Sequence, residues 1–596
     1  MFLNLWPRPQ ALPNVPLKSP FNHDQKWSTP LPEKRDEEIR IGVFICHCGS
    51  NIAGFLNMEE LAEYAQTLPN VVFVQRNLYT CSEGGINEIK YGIKEQNLNR
   101  VVVASCTPRT HEPLFRISCA EAGLNPYLFE MVNIRDQCSW VHMQEQEDAT
   151  TKAKVLIRMG VAKAALLEPQ EPIISEVQTR ALVIGGGLAG MTASLALAHR
   201  GYEVVLIEKE SNLGGMLNQI NKLGPTMTDA EELAERKIKA VSEHPNITIF
   251  TKSVITDVQG FIGKYQVDVE TESGVKKIDI GVIVVATGGR TFVPEGLYGY
   301  DGRRVITQIE MESHLREGLD QDIKNVVMIQ CVGSRNEERS YCSRICCQTA
   351  VKNAILIREQ NPDARVSILY RDMQMYGVEN EEMFRDSKAK GIRYINYDPA
   401  QPPKVDSKKV KVFHSLLGRN LELPADLVVL STPLIAQEGA EVISQLLRVP
   451  IDENGFFLEG HVKLKPLDFA TDGVFLCGSA RFPANIRETV AQGLGSASRA
   501  SIPLSKGSVV VEPIISVLAD EEACRGCGLC VELCPYSALE IQHTEKGRKV
   551  HVIDVACKGC GICAATCYQH ALSINSFTDE QIEAQLEAFL GSSVVS

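Results

Sequence analysis

The sequence predicts an α/β protein of several domains, and three observations carry that reading. Short β-branched runs such as "RIGVFIC" and "RVVVASC" alternate with amphipathic stretches, the pattern of strands buried on both faces of a parallel sheet. A strand, a glycine loop, a helix and a second strand begin at Arg180, and the α/β pattern continues to about Leu504. Eight of the nineteen cysteines fall between Cys524 and Cys567, among short strands. A chain of 596 residues exceeds what one core normally fills, so separate domains are expected.

Taken in order, residues 1–38 are Pro-rich and polar and predict an extended arm. Residues 39–145 predict an α/β domain containing cysteines, and 146–172 a connecting helix closed by Pro169 and Pro172. Residues 173–508 predict a larger α/β domain with two dinucleotide-fold halves, the degenerate second half at 290–430. Residues 509–577 predict a small α+β module around the clustered cysteines. The tail 578–596 predicts an amphipathic helix: Thr578 with Gln581 resembles a capping box, and Ile582, Leu586, Phe589 and Leu590 fall on one face.

A net charge of −13 argues against nucleic acid as the main partner, because phosphate binding favours a basic surface. No apolar run reaches membrane-spanning length, and the proline-broken N-terminus lacks a secretory pattern, so a cytoplasmic protein is expected. In such a chain, cysteines serve metal or redox chemistry more often than disulfides.

The sharpest motif is doubled. "CRGCGLCVELCP" supplies Cys524, Cys527, Cys530 and Cys534, and "CKGCGICAATC" supplies Cys557, Cys560, Cys563 and Cys567. Both have the C-x2-C-x2-C-x3-C spacing of two-cluster ferredoxins, in which the fourth cysteine crosses to the other cluster. One [4Fe-4S] cluster would use Cys524, Cys527, Cys530 and Cys567, the other Cys557, Cys560, Cys563 and Cys534. A pair of zinc sites is the bland alternative, but zinc motifs pair their ligands differently. Tyr568 stands where the first motif has Pro535.

"ALVIGGGLAGMTASLALAHRGYEVVLIEKE" sets Gly185, Gly187 and Gly190 in G-x-G-x-x-G, with Leu188 and Ala189 opening the helix. Such glycines permit the tight turn and let a pyrophosphate approach the helix N-terminus. Glu208, followed by Lys209, ends the second strand, where a carboxylate accepts ribose hydroxyls. "NLGG" with Met216 (Gly214, Gly215), "VIVVATGG" (Thr287, Gly288) and "GVFLCGSARFPANIRETVAQG" (Gly478, Ser479, Gln492) resemble later motifs of two-dinucleotide-domain flavoproteins. Together they favour FAD over NAD. Ser479 replaces the usual acidic residue of the last motif. A glycine loop without a cofactor is the alternative.

The second half should open with "NVVMIQ" and continue to "ARVSILYRD". Between them the phosphate fingerprint fails: Gly333 stands alone, followed by Arg335, so direct NAD(P)H binding is not expected there. The segment instead carries Cys331, Cys342, Cys346 and Cys347. These suggest a further iron–sulfur cluster; buried free thiols or a redox disulfide are the alternatives.

"IGVFICHCGSNIAG", "NLYTCSEGG", "NRVVVASCTPRTHEPLF", "GLNPYLFEMVNIRDQCSWVH", the flavin motifs, "QCVGSRNEERSYCSRICC" and the paired ferredoxin motifs, in that order, resemble the A-subunit family of heterodisulfide reductase over about residues 40–570. The resemblance implies a thioredoxin-reductase-like FAD domain and a two-cluster ferredoxin-like domain. It further implies that Cys331, Cys342, Cys346 and Cys347 hold a [4Fe-4S] cluster, and that Lys352 lies beside the flavin, where an ammonium stabilises a reduced, anionic ring. Another cluster on Cys46, Cys48, Cys81 and Cys106 is implied, with Cys138 as a spare and Cys119 as core. His47 and His111 flank these positions and read as structural histidines.

As function, the resemblance implies an electron-transfer subunit of a heterodisulfide-reductase-like complex, dividing electron pairs between a disulfide-type acceptor and ferredoxin. Its partners would be other subunits of that complex, one of them the electron donor, and in one arrangement a second copy of the chain. A non-bifurcating relay and an assembly hub with degenerate redox sites are the alternatives. Methanogen members carry an extra ferredoxin module within the flavin domain; here residues 214–274 contain no cysteine, so a shorter form is expected.

Overall fold

The computed structural model describes residues 38–414 and 417–591. The predicted arm therefore lies, apart from Glu38, outside the described residues. The chain divides into two compact units, one of residues up to Gln170 together with those from Thr578, the other spanning Glu171–Phe577.

In the first unit β1 (Ile41–Cys46), β2 (Val71–Asn77), β3 (Arg100–Ser105) and β4 (Phe129–Asn133) form a parallel sheet in the order β2-β1-β3-β4. Every residue of β1 is buried, as its unbroken apolar run requires. The long helix α1 (Gln146–Ala165) was expected as a connector. Instead it places Ala149, Ala153, Ile157, Val161 and Ala164 in this core. Gly160 lets α1 approach the sheet, since a Cβ there would sit 2.2 Å from Val132 Cγ2. The C-terminal helix Asp579–Leu590 has the expected Thr578–Gln581 capping box, and Gln581 Nε2 donates to Leu166 O at 2.9 Å. Its apolar residues Ile582, Leu586, Phe589 and Leu590 remain exposed, whereas polar Gln581 is buried. Burial on this helix thus follows a side-chain hydrogen bond rather than the apolar stripe.

The second unit holds two five-stranded sheets. In the first, β5 (Arg180–Ile184), β6 (Glu203–Ile207), β7 (Ile247–Phe250), β8 (Val282–Val285) and a later strand Val474–Leu476 run in the order β7-β6-β5-β8-(Val474–Leu476). Helix α2 (Leu188–Ala198) leaves the glycine loop after β5 and packs on Ile486–Lys506, a long helix near the domain's end. In the second sheet β9 (Val305–Thr307), β10 (Asn325–Ile329), β11 (Arg365–Tyr370), β12 (Arg393–Asn396) and β13 (Leu427–Leu430) take the order β9-β13-β10-β11-β12. The two strands expected from the sequence, β10 and β11, are parallel neighbours, with Asn325 opposite Arg365. Helices α3 (Gln308–Glu317) and α4 (Cys346–Gln360) flank this sheet, and the Ile486–Lys506 helix becomes α5. The cysteine-rich module folds as two small antiparallel pairs, Ser516–Leu518 with Leu572–Ile574 and Leu539–Thr544 with Gly547–Val552. Among the described residues, no helix is long and apolar enough to cross a membrane.

Candidate functional site

The first half of the second unit opens into a cavity of about 1050 Å³. The ends of β5, β6 and β8 meet there, where loops converge at the carboxyl edge of a parallel sheet. Gly185, Gly187, Leu188, Ala189, Glu208, Lys209, Gly214, Gly215, Met216, Thr287, Gly288, Ser479 and Lys352 all line it. Gly190, Gly478 and Gln492 do not; they support the wall from behind. A Cβ on Gly190 would sit 1.8 Å from Gly185 O, so glycine is needed there for close packing of helix on loop. Gln492 Oε1 accepts the Gly478 amide at 3.0 Å, so its side chain fixes the turn carrying Ser479 rather than facing the cavity.

The Glu208 carboxylate is held rigidly: Oε2 accepts Gly186 N–H at 2.7 Å and Oε1 accepts Glu210 N–H at 2.9 Å. Each oxygen keeps a further lone pair for a hydroxyl. Thr287 Oγ1, Thr432 Oγ1 and Gln348 Nε2 are buried without a hydrogen-bond partner in the protein, and all three residues line the cavity. Buried polar atoms are seldom left unpaired, so this cradle fits a polar cofactor such as FAD.

Lys352 and Glu312, which also line the cavity, form an ion pair, with 2% and 1% of their residue surfaces exposed. Lys352 Nζ also donates to Lys222 O at 2.9 Å, and Glu312 Oε2 accepts Asn221 N–H at 3.1 Å. Burial pulls the lysine below its ordinary pKa, and the Glu312 carboxylate works against that pull. Glu312 was not legible as a site residue, because 40 positions separate it from Lys352.

The cysteine segment follows β10 and packs against the same cavity. Helix α4 starts only at Cys346, so Cys342 belongs to the preceding loop. Cys346 lines the cavity, and its Sγ lies 3.6 Å from Thr432 O. Burial raises the Cys346 thiol well above its ordinary value, and Cys347, Cys331 and Cys342 add to the effect. Burial likewise pushes Cys347 up to about 12, with Cys331 and Cys342 contributing. Cys331, Cys342, Cys346 and Cys347 therefore lie within electrostatic range of one another.

In the C-terminal module one hollow is lined by Cys524, Cys527, Cys530 and Cys567, and another by Cys534, Cys557, Cys560 and Cys563. These are the two crossed sets expected from the spacing. Backbone amides of Ser516 and Ala538 donate to Cys557 Sγ and Cys534 Sγ, each at 3.3 Å. In the first unit Cys81 and Cys106 both feel Cys46 and Cys48, so these four also gather, at the carboxyl ends of the strands. Thr80 N–H donates to Cys46 Sγ at 3.4 Å, and His47 Nε2, Asn77 Oδ1 and Thr80 Oγ1 are buried unpaired nearby in sequence. Cys138 instead donates to Ala149 O at 3.1 Å, and Cys119 is fully buried core. Among the described residues, no three His, Cys, Asp or Glu side chains are arranged to hold a single metal ion. A four-iron cluster spreads its thiolates over separate irons.

The pyridine nucleotide-disulphide oxidoreductase family matches residues 179–493, and the 4Fe-4S dicluster domain matches residues 523–571. These matches identify an FAD-binding domain and [4Fe-4S] clusters. The chain is 40% identical over 604 residues to the second iron–sulfur A-subunit of CoB–CoM heterodisulfide reductase from Methanopyrus kandleri, covering 85% of this chain and 92% of that one. It is 38% identical over 609 residues to the A-subunit of H2:CoB–CoM heterodisulfide,ferredoxin reductase from Methanothermobacter marburgensis, covering 86% and 92%. Among solved structures, the thioredoxin reductase of T. acidophilum aligns with 55% of this chain and 99% of its own at 17% identity and a TM-score of 0.39. The Methanopyrus match is longer than this 596-residue chain although it takes in only part of it, so that relative carries residues without a counterpart here. With its FAD-type cavity, its crossed cysteine sets and these relatives, the chain belongs to the A-subunit family of heterodisulfide reductase and is an iron–sulfur flavoprotein oxidoreductase subunit.

Proposed function

We propose that this subunit divides electron pairs: it takes two electrons at the flavin cavity and sends them singly along separate thiolate-ligated routes. One route leads to a disulfide-type acceptor on a catalytic subunit, the other to ferredoxin. The observation that carries the proposal is the position of Cys346, which lines the same cavity as the dinucleotide loop at Gly185 and Gly187. FAD, when bound, supplies the exchange between two-electron and one-electron chemistry. The chain's own residues do the rest. The N-terminus of α2 receives the pyrophosphate, Glu208 the ribose, and Thr287 and Thr432 offer hydroxyls to polar atoms of the cofactor. Lys352 holds an ammonium where negative charge would accumulate.

Two features support a route other than NAD(P)H in the second half. Gly333 is closed over by Phe292, since a Cβ at this glycine would lie 2.5 Å from the ring. Arg339 in turn stacks on Phe292, 4.3 Å from its centroid. Side chains thus crowd the single glycine of this turn, where a dinucleotide loop would need several. The name of the Methanothermobacter relative, which joins the heterodisulfide to ferredoxin, also supports two acceptors.

A second reading, a simple one-electron relay, is favoured by the residues that relatives carry and this chain lacks. Redox titration of the flavin in the intact complex separates the two. Strongly crossed one-electron potentials are expected for division of the pair; ordered, uncrossed potentials would overturn it in favour of the relay.

A further inference from the structure

We infer that Arg344 is a positioning residue that fastens the Cys342–Cys347 loop to the N-terminus of α5, so that the thiol set and the flavin cavity keep one fixed spacing. The inference rests on reading Cys331, Cys342, Cys346 and Cys347 as the ligands of a cluster beside the flavin.

The loop is bolted from two sides. On the inner side Ser343 Oγ accepts Leu434 N–H at 2.7 Å, and Tyr341 Oη donates to Leu434 O at 2.7 Å. Leu434 and Thr432, whose carbonyl faces Cys346 Sγ, both line the cavity. A separate set of contacts holds Arg344. Its φ of 64° is left-handed, a conformation that is unfavourable for a residue with a Cβ and has to be held by its surroundings. Its backbone N–H donates to Cys342 Sγ at 3.3 Å. Its guanidinium pairs with Glu488, and lies 5.2 Å from the ring centroids of both Tyr376 and Phe482.

Glu488 is more than a surface partner. It is the third residue of α5, and its Oε2 accepts Asn485 N–H at 3.1 Å while Asn485 Oδ1 accepts Glu488 N–H at 2.9 Å. The carboxylate that closes the capping box with one oxygen therefore holds Arg344 with the other. Tyr376 ties the same corner, accepting Asn485 Nδ2–H at 2.9 Å. Asn485, Ile486 and Thr489 line the cavity, as do Ile345 and Cys346 on the other side of the ion pair. An isolated exposed pair would contribute little, but here one charge pair joins a strained thiol loop to the capped end of the helix that walls the flavin site. Loosening it frees the spacing between the thiol set and the cavity, and electron exchange slows as the distance between its two centres grows.

The test uses full-length protein purified without oxygen, in four forms: parent, Arg344→Gln, Glu488→Gln and Arg344→Lys. Each is measured for FAD and iron content, for the EPR line shape of the cluster assigned to Cys331, Cys342, Cys346 and Cys347, and for the rate of electron exchange between flavin and that cluster after rapid mixing. The expected result is full FAD in all forms, with exchange slowed several-fold and a broadened line shape in both Gln variants. Arg344→Lys should recover most of the parent rate. Loss of this cluster's iron from both Gln variants, with FAD and the ferredoxin clusters retained, supports the same role, because breaking the contact from either side opens the same loop. Parent rate and line shape in Glu488→Gln would overturn the inference, whatever Arg344→Gln does. A parent protein lacking iron beyond the ferredoxin pair would instead overturn the cluster assignment itself, so the two failures are distinct.

Discussion

Lys352 and Glu312 meet as a buried ion pair on the wall of the flavin cavity, one from α4 and one from α3. The pair is not free to relax toward solvent, and each partner is also tied to backbone near Asn221 and Lys222. Lys352→Met leaves the Glu312 carboxylate buried without its counter-charge, and should cost about 3–5 kcal/mol of stability. Adding Glu312→Gln should restore most of that loss, because no uncompensated charge then remains. Thermal unfolding reads both changes. Both variants are expected to keep FAD yet titrate at a lower flavin potential, since both lack the ammonium; an unchanged titration discards the role of Lys352.

Iron content separates the thiol sets. Two ferredoxin-type clusters and two others predict about sixteen irons per chain with one FAD. Cys346→Ser, Cys524→Ser and Cys46→Ser should each lose about four irons. Cys138→Ser should lose none, because its thiol is engaged with Ala149 O. A parent protein with about eight irons would leave only the C-terminal pair.

Glu208 and Gly190 test the nucleotide cradle from two directions. Glu208→Gln gives up a charged acceptor of the Gly186 amide and of a ribose hydroxyl, and should weaken FAD binding about 10- to 100-fold with the fold retained. Gly190→Ala drives a methyl group into Gly185 O, so it should both abolish FAD retention and destabilise the domain. Fluorescence titration of released FAD distinguishes the graded loss from the complete one.

Glu459 predicts part of the acid sensitivity. Arg481, bonded to it at 2.8 and 3.0 Å, holds its carboxyl below the ordinary value and anchors the turn that carries Ser479. The folded value lies below the unfolded one, so the contribution is complete above about pH 4.3 and is lost as the pH falls through the lowered folded value. Glu459→Gln should flatten that limb in denaturant unfolding measured between about pH 6 and pH 3.

Motifs whose chemistry is local in sequence were legible without coordinates. The doubled C-x2-C-x2-C-x3-C runs implied the crossed ligand sets that line the two hollows, because a short bend around one cluster leaves the fourth thiolate no nearer target than the other. The glycine loop, Glu208 and the strands β10 and β11 were legible for the same reason: strand, turn and helix propensity act over a few neighbours. What depends on contacts between distant segments was decided only by the tertiary structure. Glu312 answers Lys352 from another helix, Arg344 finds Glu488 144 positions away, and Gln492 turns behind Gly478 instead of into the cavity. Helix α1, expected as a connector, joins the first core because its small residues fit against β4. The tail helix buries Gln581 rather than its apolar face. In each case the sequence supplied the side chain, but the energy that chose its partner came from burial and charge pairing, which exist only once the chain has folded.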